Sequence, residues 1–450
     1  MQLSLLEKDR KYLWHPSTQM KDFETEDHVL ITKAEGIRLF DTNGKAYFDT
    51  ISSWWCNVHG HNHPKVKEAI QSQLDRFGHV LFAGLTHENA IRAAEMLVQV
   101  TPQELCKVFF SDNGSTACEI ALKMSYQYWK NNGNEMKQEF VSLELGYHGD
   151  TIGAMSVGGT SLFESPFSSL LFRAHKVPSP YCYRCRFGKS GDSCELDCIK
   201  PLKELLRYRN EQIAGIILEP MVQGAGGMIV YPVKYLNEVG RLAREYNVHL
   251  IVDEVAVGFG RTGKMFATEF STADPDFMCV SKGLTNGCLP LAATLTTQDV
   301  YDAFYDDYEK NKTFFHGHTF TANPLATAAA VASLQIFQEE GTLDKASIEI
   351  AYLHQEMERL RELPHVGDIR CKGMIAALEL VRDKDTREPF SFEERVGWNI
   401  YKEGLKRGLI LRPLGNVTYL FLPLCVTRDE LREILQLTRE SVNNVVQNLS

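Results

Sequence analysis

The sequence predicts an α/β protein organised on a parallel sheet, and three observations carry that reading. Between about 106 and 281, short apolar runs alternate with longer stretches of helical periodicity. Strands separated by helices imply parallel pairing through right-handed helical crossovers. Outside that region, both ends of the chain mix short strands with helices, so the termini are expected to build one smaller α+β domain beside the large one. A chain of 450 residues is long enough to bury an extensive core.

From the amino terminus, residues 36–40 and 45–49 flank Asp41-Thr-Asn-Gly44 and read as a β-hairpin. From Pro64 to about Val100 the apolar spacing is helical. Strands are then expected at 106–111, 139–144, 215–220, 249–254 and 276–281, with helices at 116–129 and 233–246. An Ala-rich helix at 325–339 follows, and then an amphipathic helix at about 345–362. Short strands at 366–370 and 373–381, a helix near 392–407, the segment LILRPLG and a closing helix at 428–447 complete the chain. The expected boundaries are 1–65 for the amino-terminal part of the small domain, 66–325 for the large domain and 326–450 for the rest of the small domain.

Composition narrows the function classes. Hydrophobic content of 44% and charged content of 24% are those of an ordinary globular chain. A net charge of -10 without a concentrated basic face argues against a nucleic-acid partner. No window reaches about 18 apolar residues, and the first residues lack a signal-peptide core, so a cytoplasmic location without membrane contact is expected. Most of the eleven cysteines stand singly at apolar positions, such as Cys118, Cys279 and Cys371, as reduced thiols do.

The chemistry centres on DPDFMCVSKGLTNG at 274–287, read together with LIVDEV at 250–255. Lys282 follows an apolar run, where partial desolvation activates an amine for Schiff-base chemistry. The cofactor most often bound this way is pyridoxal phosphate, which needs a carboxylate on its pyridinium nitrogen; Asp253, at a strand end, is the candidate. In SDNGSTACEIALK at 111–123 a helix start follows a strand, so Gly114 and Ser115 are candidates to hold a phosphate. GYHGDT at 146–151 puts Tyr147 at the carboxyl edge of the sheet, as a candidate to stack on a flat ring.

Other segments stay ambiguous. Gly258, Gly260 and Gly263 in VGFGRTGKM match G-x-G-x-x-G, and 258–264 nearly matches a Walker A loop. Met265 removes the magnesium-binding hydroxyl, and Asp253-Glu254 would face a pyrophosphate; a nucleotide- or pyridoxal-phosphate-binding protein without turnover remains the alternative class. FFHGHTFTANP at 314–324 reads as a loop approaching a ligand. Cys182, Cys185, Cys194 and Cys198 form C-x2-C-x8-C-x3-C, a spacing that admits a zinc or iron–sulfur site or a loop of free thiols.

Taken together, the chain resembles the class III, fold-type I pyridoxal-phosphate aminotransferases over essentially its whole length. WHPSTQM at 14–20, SSWWCNVHGHNHP at 52–64, EPMVQGAGGM at 219–228, HGHTFTANP at 316–324 and RPLG at 412–415 carry the resemblance with the motifs above. It implies a large domain with a mostly parallel seven-stranded sheet between helices, and a homodimer with its active site at the subunit interface. It makes Lys282 the cofactor lysine, Asp253 the ring-nitrogen partner, Gly114 and Ser115 the phosphate site, and Thr319 a phosphate contact from the other subunit. The double Trp and RPLG resemble a biotin-biosynthesis subgroup, which implies 8-amino-7-oxononanoate as amino acceptor and S-adenosylmethionine or lysine as donor. Trp54, Trp55, Tyr147 and Gly317 would then line the substrate site. Arg412 would pair with the acceptor's carboxylate, and Arg261 with the donor's α-carboxylate. Ser17 stands where the better-known form has a Tyr that helps admit S-adenosylmethionine. An ω-amino-acid or diamine aminotransferase is the alternative within the family.

Overall fold

The computed structural model describes residues 3–26, 28–189 and 193–449. Three short strands, β1 (Ile31–Glu35), β2 (Arg38–Asp41) and β3 (Ala46–Phe48), form an antiparallel sheet near the amino terminus. Asp41 closes the β2–β3 turn by accepting from the amides of Asn43 at 2.8 Å and Lys45 at 2.9 Å, which is why Asp-Thr-Asn-Gly reads as a turn.

The large sheet contains seven strands. In chain order they are β4 (Leu105–Ser111), β5 (Glu139–Leu143), β6 (His175–Val177), β7 (Ile213–Leu218), β10 (His249–Asp253), β11 (Phe277–Val280) and β12 (Ala292–Thr297); β8 (Val222–Gln223) and β9 (Ile229–Val230) form a separate two-stranded ribbon. The spatial order is β4-β12-β11-β10-β7-β5-β6. Strands β7, β10 and β11 are buried at every position, which explains their nearly uninterrupted apolar sequences.

One strand makes the sheet mostly rather than wholly parallel, as expected. β12 pairs antiparallel with both β11 and β4, so six strands run one way and β12 runs against them. Its sequence AATLTT is small and hydroxyl-rich, and it shows no apolar run. The three residues of β6 carry too little pattern to read.

The helix Gly114–Asn131 starts at Asn113, whose side chain accepts from the Thr116 amide at 3.0 Å. The helix Pro324–Glu339 starts at Asn323, which accepts from the amides of Leu325 and Ala326, with Pro at the first helical position. Its alanines let it pack closely against the helix Pro64–Arg76.

A third sheet pairs β13 (Val366–Lys372), β14 (Ile375–Asp383), β15 (Glu388–Pro389) and β16 (Val417–Phe421). The two ends of the chain are hydrogen-bonded together: Phe48 and Gly408 meet at 2.7 Å, Ile410 and Phe48 at 3.0 Å, and Phe421 and Thr50 at 2.7 Å. A buried ionic knot joins this region to the β8–β9 ribbon and to the loop after β6. Arg370 donates to Glu379 at 2.6 Å, to Asp368 at 2.9 Å and to the Gly227 carbonyl at 2.7 Å, while Arg184 also pairs with Glu379.

Candidate functional site

The carboxyl ends of β4, β5, β7, β10 and β11 open on one edge of the large sheet, where ligands bind in open α/β folds. The reversed strand β12 brings its first residues to the same edge. Pro290 and Leu291 therefore join Gly114, Ser115, Tyr147, Glu219, Asp253, Lys282 and Trp55 around a cavity of about 630 Å³.

Lys282 follows β11 and opens a 3₁₀ turn, Lys282–Thr285. Its φ of 46° lies in the left-handed region, which costs a non-glycine residue roughly 1–2 kcal/mol. The amine stands 5.0 Å over the Trp55 ring. Burial lowers its pKa, opposed by the charges of Asp253 and Glu219, so the amine is poised to lose its proton more readily than a surface lysine.

Asp253 ends β10 and is 4% exposed. One carboxylate oxygen accepts from the Val255 amide at 3.0 Å; the other lies 2.7 Å from His148 Nδ1 and 3.5 Å from Cys118 Sγ. Burial alone would depress His148, but the Asp253 carboxylate overrides it and holds the imidazole up at about 9. At neutral pH the imidazole is therefore charged. Cys118, His148 and Asp253 are, among the described residues, the one group whose metal-ligating atoms lie within 4.8 Å of one another. Their bonds to each other make them a hydrogen-bonded network behind the cavity.

Gly114 is required where it stands. A Cβ there would lie 2.4 Å from Val255 Cγ1, so only glycine lets the helix start approach the strand end. The neighbouring hydroxyl Ser115 Oγ lies 2.7 Å from Thr151 Oγ1 and accepts from the Thr151 amide at 3.1 Å. Gly149, with φ 123°, leaves room for Ser115. The result is a rigid cradle at the amino end of an 18-residue helix, whose free N–H groups and dipole suit a phosphate.

Glu219, which the sequence reading left unassigned, lies between two loops. Its carboxylate accepts from the Tyr147 amide at 3.1 Å and from the Gly224 amide at 2.8 Å. Burial, with Asp253 nearby, pushes it up to about 8. Its signal was available: a carboxylate directly after the apolar run of β7, at the same edge as Asp253.

Of the remaining candidates, one lines the cavity and the others do not. Trp55 lines the cavity, stacks on Phe421 and donates from Nε1 to Tyr419 Oη at 3.1 Å. Trp54 is 43% exposed, with the Arg412 guanidinium 4.4 Å over its ring; Arg412 reaches the Ser17 carbonyl at 3.5 Å. Neither Trp54 nor Arg412 is among the cavity-lining residues, and nor are Arg261, Gly317 and Thr319. Gly317 and Thr319 lie on an exposed loop with Phe315 and Phe320, which are 75% and 58% exposed.

The glycine-rich stretch after β10 forms no phosphate loop. The amides of Gly258, Gly260 and Gly263 are spent on Glu254, Met265 and Gly260 carbonyls, so they are not free to cradle an anion. The four clustered cysteines are free thiols; Cys182 is exposed, and Cys185, Cys194 and Cys198 are half-buried. Among the described residues, no three of them bring their sulfurs within 4.8 Å of one another, wider than a tetrahedral metal site holds its ligands. Residues 190–192 between them lie outside the described residues.

The model of the family described as aminotransferase class-III matches residues 20–441. The chain is 47% identical to an adenosylmethionine-8-amino-7-oxononanoate aminotransferase of Geobacter sulfurreducens, over 98% of each chain. It is 45% identical to a protein of the same name from Aquifex aeolicus, over 98% of this chain and 97% of that one. The crystal structure of the Methanocaldococcus jannaschii protein of that name superposes with a TM-score of 0.93 at 40% identity, covering 98% of each chain. An omega transaminase from Pseudomonas jessenii, in complex with PMP, superposes at 0.94 with 31% identity over 99% of each chain.

Proposed function

The chain belongs to the class III aminotransferases, and from that premise we propose that it aminates 8-amino-7-oxononanoate to 7,8-diaminononanoate in biotin biosynthesis. S-adenosylmethionine is the proposed amino donor and lysine the second, since Ser17 supplies no phenol beside Arg412. The observation that carries the reading is full-length identity of 47% to a protein of that name, in a chain that keeps the paired Trp54-Trp55 beside Arg412. A guanidinium stacked on an indole suits the terminal carboxylate of an apolar chain.

Enzymes of this family and fold use pyridoxal 5'-phosphate, which when bound supplies an electron sink for the bond broken at the amine-bearing carbon. The residues present fit it. Gly114 and Ser115 would bind its phosphate through the helix start, and Asp253, which His148 contacts at 2.7 Å, would hold the ring nitrogen protonated. Tyr147 would cover the ring. Lys282 Nζ, with its lowered pKa, would bind the cofactor and afterwards move the proton at the substrate carbon as general base and acid. Two amines handled by one centre in turn give ping-pong transfer.

The assembly proposed is a homodimer, with Thr319 of one subunit reaching the phosphate site of the other; the exposed Phe315 and Phe320 support a covered loop. Residues 1–65 and 326–450 are taken as one small domain beside 66–325. Cytoplasmic residence is proposed with it, supported by eleven cysteines that are all free.

Incubating purified holoenzyme with 8-amino-7-oxononanoate and either S-adenosylmethionine or lysine, and measuring the diamine by mass, tests the proposal. Diamine with one donor supports it; none with either refutes the assignment.

A further inference from the structure

The loop that bears Tyr147 and His148 runs into a short helix, Ile152–Ser156, whose cap comes from another element. Thr151 precedes that helix, and a threonine there ordinarily accepts from the second or third helical amide with its own hydroxyl. Thr151 makes no such bond. Its Oγ1 is turned instead to Ser115 Oγ at 2.7 Å, and its amide donates to the same hydroxyl at 3.1 Å.

The second and third amides, of Gly153 and Ala154, both donate to one oxygen of Glu119, Oε1, at 2.6 Å and 3.1 Å. Glu119 stands four residues after Ser115 on the helix Gly114–Asn131, so the two side chains share a face. A carboxylate is favoured at a helix start by the dipole there. The approach is close enough to demand glycine at 153, since a Cβ there would come within 2.8 Å of both carboxylate oxygens.

We propose that Glu119 is a positioning residue for the cofactor site: by capping the helix Ile152–Ser156 in place of Thr151, it leaves the Thr151 hydroxyl to the phosphate cradle and locks the Tyr147–His148 loop to the helix that carries Ser115. This rests on the reading of Gly114 and Ser115 as the phosphate site. Glu119 is not among the residues lining the cavity, so it acts through Thr151 and the loop. The loop is held at Tyr147 by Glu219 and at His148 by Asp253; Ser115 and Glu119 hold its far end. One helix face thus keeps the phosphate site and the ring cover in a common frame. Without Glu119 the two amides need another acceptor, and Thr151 can serve them only by leaving Ser115.

Cofactor titration of apoprotein, with hydrogen exchange read on the peptide spanning 150–158, tests the cap. Both amides bond a single oxygen, which glutamine retains, so Glu119→Gln should bind pyridoxal phosphate within about threefold of wild type. Glu119→Ala removes the acceptor; exchange should rise at least about tenfold, and the dissociation constant roughly tenfold or more. Thr151→Val takes the hydroxyl from the cradle beforehand. In that background Glu119→Ala should alter affinity less than about threefold while still speeding exchange. Equal losses of affinity in both backgrounds overturn the route through Thr151, and unchanged exchange or affinity in Glu119→Ala overturns the proposal outright. Wild-type apoprotein that binds no pyridoxal phosphate would instead refute the reading of the site. If Glu119→Ala does not fold, Glu119→Asp keeps the charge but draws the oxygen back by one methylene. Weaker binding and faster exchange than in Glu119→Gln then support the cap, and equal values overturn it.

Discussion

Substituting Gly114 by Ala probes the cradle most directly, because the structure states what the added methyl would meet. The new Cβ would stand 2.4 Å from Val255 Cγ1 and 3.0 Å from Cγ2, well inside contact distance. Either the valine or the helix start must move. Overpacking of this kind costs about 1–3 kcal/mol, and a displaced helix start weakens N–H bonds to a charged phosphate worth about 1.5–3 kcal/mol each. Loss of one such bond predicts a rise in the cofactor's dissociation constant of roughly 10- to 100-fold, at 1.4 kcal/mol per tenfold. Titrating apoprotein with pyridoxal phosphate and following the visible absorption measures it. The decisive comparison is Gly114→Ala with Val255→Ala, which deletes both clashing methyls and leaves Val255 Cβ, at 3.3 Å, as the nearest atom. Affinity should return to within several-fold of Val255→Ala alone. Undiminished affinity in Gly114→Ala would refute the cradle, and failure of the double variant to recover would refute the steric argument.

Three further outcomes are expected. Asp253→Asn should retain cofactor but lose roughly a hundredfold or more in kcat, about 2.7 kcal/mol of barrier, measured in single turnovers; near-normal turnover would remove Asp253 from its role. His148, raised to about 9 by Asp253, contributes stability that is fully present below its unfolded value near 6.5 and is lost as pH rises through about 9. The melting temperature of apoprotein should therefore fall over that window relative to His148→Gln, and parallel curves would contradict the ion pair. Mixing inactive Lys282→Ala with Thr319→Ala should regenerate activity, because one site of each mixed dimer would hold a native Lys282 and a native Thr319. A mixture no better than its components would deny the shared site.

Legibility in the sequence followed the physics of each feature. Strands buried on both faces announce themselves as apolar runs, and the residue that ends each run falls on the active edge; Asp253, Lys282 and Tyr147 were readable for that reason. Glu219 ends β7 in the same way but lacked a role until its bonds to Tyr147 and Gly224 were seen. β12 was hidden because AATLTT is chosen for close packing between β4 and β11, not for apolarity. The glycines of GFGRTGK resembled a phosphate loop because both need tight turns; only tertiary structure shows that their amides are already spent.

The left-handed turn at 52–55, four consecutive residues with positive φ and no glycine, was beyond any local reading, since Ser and Trp favour other conformations. Its polar contacts come from both near and far: Ser53 donates to Asp49, and Arg261, about two hundred residues away in the chain, donates to Ser52 Oγ and to the Trp55 carbonyl. Lys282 repeats the pattern with its own positive φ, and Asp253 sits buried beside a charged imidazole. Strain, desolvation and buried charge thus collect at one edge of the sheet, while the strands beneath obey their propensities. A fold that tolerates such costs only where the surrounding bonds over-determine them marks its working edge by those violations. Here they gather around the cavity that holds the amine of Lys282: the Trp55 indole, the His148–Asp253 pair, and the glycine-bounded helix start.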